Sequence, residues 1–289
     1  MIEKRNLAEI LALYKFEPNL VDIYVEGEGD KAVVTWFLSR IPAQDVNVYS
    51  IDAIDIPAPI MTKYDLTPHS NRSRVLALSI ELYKEFQESI KVLCIADRDY
   101  DEYFPRTVSS PLLQLTDGHS MECYALNEIC FRKFSSLVLG ESRTHLLSMI
   151  PSLQSILREV YAIRLANETL RWGMEFIPFG HYISVKGLHI SFKKETFIKA
   201  YLQKNRHWAE RDTFLHTVED VTAKLSKDPQ KTSRGHDIAE VLIVVLRKLF
   251  RNRKFGNSET LEGALLGTVE YNDLKSATLF RRLSTLVSN

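Results

Sequence analysis

Short apolar runs rich in β-branched residues recur through the first 130 residues, separated by stretches whose apolar positions return every three or four residues. The runs VDIYVE (21–26), VNVYSID (46–52), KVLCIAD (91–97) and LLQLT (112–116) predict strands. Helices are expected near 29–41 and 72–89, the second with Val75, Leu76, Leu78, Leu82, Tyr83 and Phe86 at helical spacing. Strands alternating with helices point to βαβ units and so to an α/β, Rossmann-like, mostly parallel sheet. MECYALNEICFRKFSSLVL (121–139) predicts a helix directly after the fourth strand. From about residue 142 the spacing becomes that of longer amphipathic helices, expected near 195–204, 207–226 and 237–252, with EFIPFGHYISVKGLHISF (175–192) reading as a hairpin between them. Two domains are therefore expected, 1–140 around the sheet and 141–289 mainly helical, with the boundary near Gly140 to Arg143.

Charge changes this picture. The chain is formally neutral, with 37 basic and 37 acidic residues. Up to Cys130, however, 12 Lys and Arg face 21 Asp and Glu, and beyond it 25 face 16. An acidic half able to gather divalent cations is thus joined to a basic half able to meet a polyanion, although two mutually attracting solvated faces would carry the same asymmetry. No window of about 20 residues is apolar enough to span a bilayer, so no membrane association is expected. The opening MIEKRNLAEILALYKF mixes acids with bases at amphipathic spacing, unlike a secretory leader. Cys94, Cys123 and Cys130 form no CxxC pair, and an odd count suits a reducing compartment. The expected place is the cytoplasm, with the three cysteines as small buried hydrophobes.

Chemistry in an open α/β sheet gathers where strands end at their carboxyl edge. Here those positions are acids. The first strand delivers Glu26, with Asp30 four residues on; the third delivers Asp97, Asp99 and Asp101 in IADRDYDEY; the fourth delivers Asp117 and then Glu122. Alternation in an extended segment puts Asp97, Asp99 and Asp101 on one side. Carboxylates at this density need a cation, and with no competing Cys or His set the hard oxygen donors favour Mg2+ or Mn2+ over zinc. Singly, an acid after a strand is usually a helix cap or turn former. The convergence of three strand ends is what suggests a site.

A competing pattern exists. Gly27, Gly29 and Ala32 fit GxGxxA after a strand, and Asp52 ends the next strand where a ribose-binding acid of a dinucleotide fold would stand. A pyrophosphate on that turn would meet Glu26, Glu28 and Asp30, a repulsion of several kcal/mol at low effective dielectric. No GxxxxGK[ST], GxSxG or HExxH occurs.

The EGxxD of Glu26, Gly27 and Asp30, followed after two α/β steps by a strand ending in the DxD of Asp97 and Asp99, resembles a Toprim domain over about residues 20–130. This is the metal-binding module of type IA and type II topoisomerases, bacterial primases and OLD-type nucleases. VEGEGD, IADRDYDEY, TDGHSMECY and SRGHDIAEVL are similar to the OLD-like Toprim family whose members include the nuclease effector of PARIS-type anti-phage systems. The resemblance implies Glu26 as general acid or base and metal neighbour, Asp97 and Asp99 as holders of Mg2+ or Mn2+, and Asp30, Asp101, Asp117 and Glu122 as further acids, the last two permitting a second metal. It further implies a toxic nuclease acting on RNA, with tRNA among the candidates, or DNA. A separate ATPase subunit would restrain it, because OLD nucleases carry an ATPase domain that this chain lacks, and by analogy it would act as a homodimer.

The chain also departs from the named relatives. Some 150 remaining residues hardly supply a topoisomerase's nucleophilic tyrosine on a movable domain, and a primase's zinc and polymerase-supporting modules are missing. RKLFRNRKF groups Arg247, Lys248, Arg251, Arg253 and Lys254 with Phe250 and Phe255, as a phosphate-backbone contact would need, although a basic helix C-terminus has the same composition. His236 and Asp237 are expected to begin a helix, and His119 to sit in a turn. Besides the nuclease, a non-catalytic Toprim-like scaffold or binding subunit of an ATPase complex fits these residues.

Overall fold

The computed structural model of the protein describes residues 4–42, 45–104, 109–140, 145–249 and 255–288. The described chain opens with a short strand β1 (Arg5–Asn6) and helix α1 (Leu7–Phe16), whose cap Asn6 exchanges hydrogen bonds with Glu9. There follow β2 (Val21–Val25), α2 (Glu28–Leu38), β3 (Val46–Ser50), β4 (Ile54–Asp55), α3 (Ala58–Lys63), α4 (Asn71–Phe86), β5 (Lys91–Ala96) and β6 (Leu113–Leu115). Then come α5 (Glu128–Lys133), α6 (His145–Ser148), α7 (Ile150–Leu170), β7 (Ile183–Lys186), β8 (His189–Phe192), α8 (Lys194–Lys204) and α9 (Arg211–Lys224). The last helices are α10 (Gly235–Leu249), α11 (Ser258–Leu266), α12 (Tyr271–Ser276) and α13 (Thr278–Ser288).

The four expected strands form one parallel sheet in the order β3-β2-β5-β6. All five residues of β2 are buried, as befits a strand with neighbours on both edges and cover on both faces. Ile23 at its centre lies beside Val48 on one flank and Leu93 on the other. The expected hairpin is antiparallel β7–β8. The protein is thus α/β, with a parallel sheet and many helices.

By packing, the chain divides into two compact units, Met1–Asp117 with Glu270–Asn289, and Gly118–Val269. This differs from the expected cut near residue 140, and the reason is long-range pairing. In the first unit α12 and α13 return to the sheet domain: Phe280 packs on Phe37 with ring centroids 4.7 Å apart, Tyr271 stacks on the same ring at 5.1 Å, and Arg282 donates to the carbonyls of Leu113, at 2.7 Å, and Pro111. In the second unit residues 120–123 hold the start of α10, with Ser120 Oγ accepting from Gly235 N at 3.3 Å and Cys123 Sγ donating to Ser233 O at 3.0 Å. The helix expected over 121–139 is likewise interrupted. A 3-10 turn, Met121–Ala125, precedes α5, and the Asn127 side chain accepts from Cys130 N at 2.9 Å, starting a fresh helix that ends in a π turn at Phe134–Val138.

The first unit's core joins α1 and α4 to the sheet through Ile10, Tyr14, Val75, Leu78, Val92 and Cys94. In the second, Val160, Phe214 and Leu242 bring α7, α9 and α10 together as fully buried side chains. All three cysteines are buried, and none is in a disulfide among the described residues. Among the described residues, no helix is long and apolar enough to cross a membrane.

Phe280→Ala is expected to cost the first unit about 3–5 kcal/mol, since it empties a fully buried aromatic site. Urea denaturation followed by circular dichroism measures this, and an unchanged midpoint would show that α13 does not contribute to that core.

Candidate active site

The chain winds from β2 outward to β3 and then crosses β2 to enter β5 on its other side. Beyond the carboxyl ends of β2 and β5 the winding reverses, and there an open parallel sheet leaves a crevice for chemistry. Glu26 is the residue after β2 and Asp97 the residue after β5. They are joined directly, because Asp97 N donates to Glu26 Oε1 at 2.8 Å. At the start of α2, Asp30 Oδ2 accepts from Gly27 N at 3.1 Å, which turns that carboxylate back toward the strand end and closes the first turn.

The turn after β5 is held by a residue that the sequence reading did not single out. Arg72, 5% exposed in the first turn of α4, donates through Nε to Asp97 O at 2.7 Å and through Nη2 to Asp101 Oδ2 at 2.6 Å. Its Nε also lies 3.1 Å from Asp99 Oδ2. Its neighbour Asn71 donates to Glu26 O at 3.0 Å, so two consecutive side chains of α4 tie both strand ends. The available signal was spacing: Arg72 lies three and four residues before Val75 and Leu76, on the buried stripe, where an arginine must have polar partners. Asp99 itself has φ +50, a left-handed conformation in which aspartate is among the few tolerated residues.

The structure gathers Glu26, Asp30, Asp97, Asp99 and Asp101 at this end of the first unit. Asp117, in the same unit, caps α13 instead, its two oxygens accepting from Thr278 N at 2.8 Å and Leu279 N at 3.1 Å. Glu122 belongs to the second unit, where its carboxylate lies so close to Gly235 that a Cβ there would collide with it. His119 is buried against the Tyr161 ring, and the first-turn acid Asp237 is a buried bidentate partner of Arg164, at 3.0 and 2.8 Å. His236 pairs with Glu262 at 2.6 Å. Of the basic cluster, Arg247 donates to Gly256 O at 3.3 Å and Lys248 to Ile183 O at 2.8 Å; Arg251, Arg253 and Lys254 lie outside the described residues.

Electrostatics distinguish Glu26 from an ordinary strand-end acid. Burial pushes its carboxyl up to about 8; Asp99 and Asp30 push the same way, while the Asp97 N–H and the Arg72 guanidinium oppose them. Such crowding is the repulsion that a cation would relieve. The donors are oxygens alone, which suits Mg2+ or Mn2+. Among the described residues, however, no three or more His, Cys, Asp or Glu side chains already stand as a metal-holding group. Asp99 would have to leave or share Arg72 to bind one. As for the competing dinucleotide pattern, Asp52 is paired with Arg74 at 3.1 Å.

Compared with known proteins, the chain matches no family model and no curated sequence.

Two measurements check this description. Glu26 has a folded-state pKa above its unfolded value, so its contribution to stability is fully present below about pH 4.5 and is lost as pH rises through about 8. Glu26→Gln should therefore gain on the wild type across that window in denaturant titrations, and a constant difference would show an ordinary carboxylate. Arg72→Ala, which removes the donor to two main-chain carbonyls and to the part-buried carboxylates of Asp99 and Asp101, should cost about 1–3 kcal/mol, and a loss well below about 1 kcal/mol would mean that water replaces the guanidinium without difficulty.

Proposed function

We propose that the protein is a metal-dependent Toprim nuclease that hydrolyses phosphodiester bonds of RNA, with tRNA among its candidate substrates, or of DNA. In this reading it acts as the toxic effector of an anti-phage system and is restrained by a separate ATPase subunit. The observation that carries the proposal is the hydrogen bond from Asp97 N to Glu26 Oε1 at the switch point of the parallel sheet, which places the EGxxD and DxD segments in one crevice. The resemblance to OLD-like Toprim nucleases supplies the reaction class, the role as effector and the partner.

Glu26, Asp97 and Asp99 would hold Mg2+ or Mn2+, which when bound supplies positive charge at the phosphoryl oxygens and lowers the pKa of a water. The remaining chemistry belongs to the chain. Because Glu26 Oε1 accepts the Asp97 N–H, Oε2 is the oxygen left to exchange a proton, taking one from an attacking water or giving one to a leaving oxygen. Arg72 is a positioning residue. It fixes the backbone at Asp97 and Arg98 and draws Asp99 and Asp101 to one side. Asp30 adds negative charge at α2 and is itself held by the Gly27 N–H. Since Asp117 is engaged by α13, the proposal rests on the three acids of β2 and β5.

The ion pairs of Asp99 and Asp101 with Arg72 favour a second reading, a non-catalytic scaffold in which these acids only brace the turn. Calorimetric titration with Mn2+ separates the two: binding that Asp97→Ala abolishes belongs to the nuclease, and absence of binding to the scaffold.

Incubating the purified protein with Mn2+ and either total cellular RNA or plasmid DNA is expected to give cleavage. Glu26→Ala and Asp97→Ala should each lower it about a hundredfold or more while leaving the circular dichroism spectrum unchanged. Equal cutting by wild type and both variants would remove these residues from the reaction.

A further inference from the structure

A second cavity of the first unit lies on the outer side of the sheet, beside the carboxyl ends of β2 and β3. Its volume is about 610 Å3, and its wall includes Lys4, Arg5, Glu28, Lys31, Tyr49 and Asp52. That size falls within the range of small-molecule pockets, roughly 300–1,000 Å3.

Its wall combines a fixed aromatic surface with surplus positive charge. Tyr24 and Tyr49 stack with centroids 5.5 Å apart and planes at 24°. The Tyr24 hydroxyl is tied to that of Tyr14 at 2.6 Å, and Arg5 hydrogen-bonds the Tyr49 hydroxyl, so neither ring is loose. The acids of the wall are already matched: Glu28 lies 3.6 Å from Lys31, and Asp52 lies 3.1 Å from Arg74. Among the described residues, Lys4 and Arg5 therefore remain as cations of the wall that no carboxylate matches. An aromatic wall, two surplus cations and a carboxylate able to accept from hydroxyls together suit an anion that carries a flat ring and a polyol.

We propose that this cavity binds a mononucleotide, with the base against the Tyr49 ring, which the buried Tyr24 backs, the ribose toward Asp52, and the phosphate on Lys4 and Arg5. The acidic turn after β2 excludes a dinucleotide from the glycine segment, but a single nucleotide seated beside β3 has no need of that turn. The assignment is independent of nuclease activity. It gives the protein a site at which a nucleotide could set its state.

The test is calorimetry on the full chain in EDTA, so that metal binding at Glu26 plays no part, with AMP, GMP, inorganic phosphate and NAD as separate probes. AMP or GMP should bind at least about tenfold more tightly than phosphate, a difference of about 1.4 kcal/mol. Arg5→Glu should weaken that binding about tenfold or more, and Tyr49→Leu should weaken the nucleotide but not phosphate. Equal affinity for phosphate and AMP would overturn the nucleotide assignment and leave an anion site; tighter binding of NAD than of AMP would overturn it in favour of a dinucleotide. No binding of either mononucleotide at about 1 mM would overturn it outright.

Discussion

The buried guanidinium of Arg72 is the interaction on which the end of the sheet depends. Parallel strands are held to each other by their ladders, but the segments beyond their carboxyl ends are not, and here the segment after β5 brings three aspartates within five residues. Left alone, such a turn would swing into water to separate its charges. Arg72 prevents this by binding main-chain carbonyls of Asp97 and Arg98 together with the carboxylates of Asp99 and Asp101. A guanidinium can do both because its donors diverge in a rigid plane, whereas a lysine would offer a single point charge. The cost of burying the cation is offset by the acids it faces, and the acids acquire a fixed place.

That arrangement leaves the charge of Glu26 uncompensated. Arg72 lowers its pKa, but burial and the neighbouring Asp99 and Asp30 outweigh the guanidinium and the Asp97 N–H combined. The consequence is a carboxyl that keeps its proton near neutrality until something positive arrives. Burial first, and the neighbouring acids after it, make Glu26 costly to ionise, and the same surroundings would make a divalent cation welcome.

Much of the sheet was legible in the sequence because its signals are local. Each β-branched run became a strand within a few residues of its expected limits, and the acids after β2 and β5 could be placed at one edge from the alternation of strands and helices alone. What was not legible is what arrives from far along the chain. Nothing near Asp117 in sequence shows that its carboxylate caps a helix beginning at Thr278, and nothing near Phe280 shows that its ring meets Phe37. Likewise the pattern over 121–139 is helical throughout, yet the Asn127 cap divides it, since a side chain that satisfies the amide of Cys130 makes a new start more favourable than a continuous helix. Arg72 lay between these cases, marked by its position on a buried stripe but without partners that the sequence could name.

Helix α2 then has a different electrostatic task on each side. Toward the switch point its first turn presents Asp30, folded back on Gly27, in a crevice where carboxylates outnumber cations. Toward β3 it presents Glu28 already matched by Lys31, beside a cavity where Lys4 and Arg5 are in surplus. A phosphate can approach the second surface directly but the first only in company with a cation, because the N-terminal dipole of one helix, worth about 1 kcal/mol, cannot outweigh several carboxylates. One glycine-containing turn thus separates two ways of meeting an anion. Glu26, which helps to reject a pyrophosphate at the turn, is also among the residues that would hold a metal there.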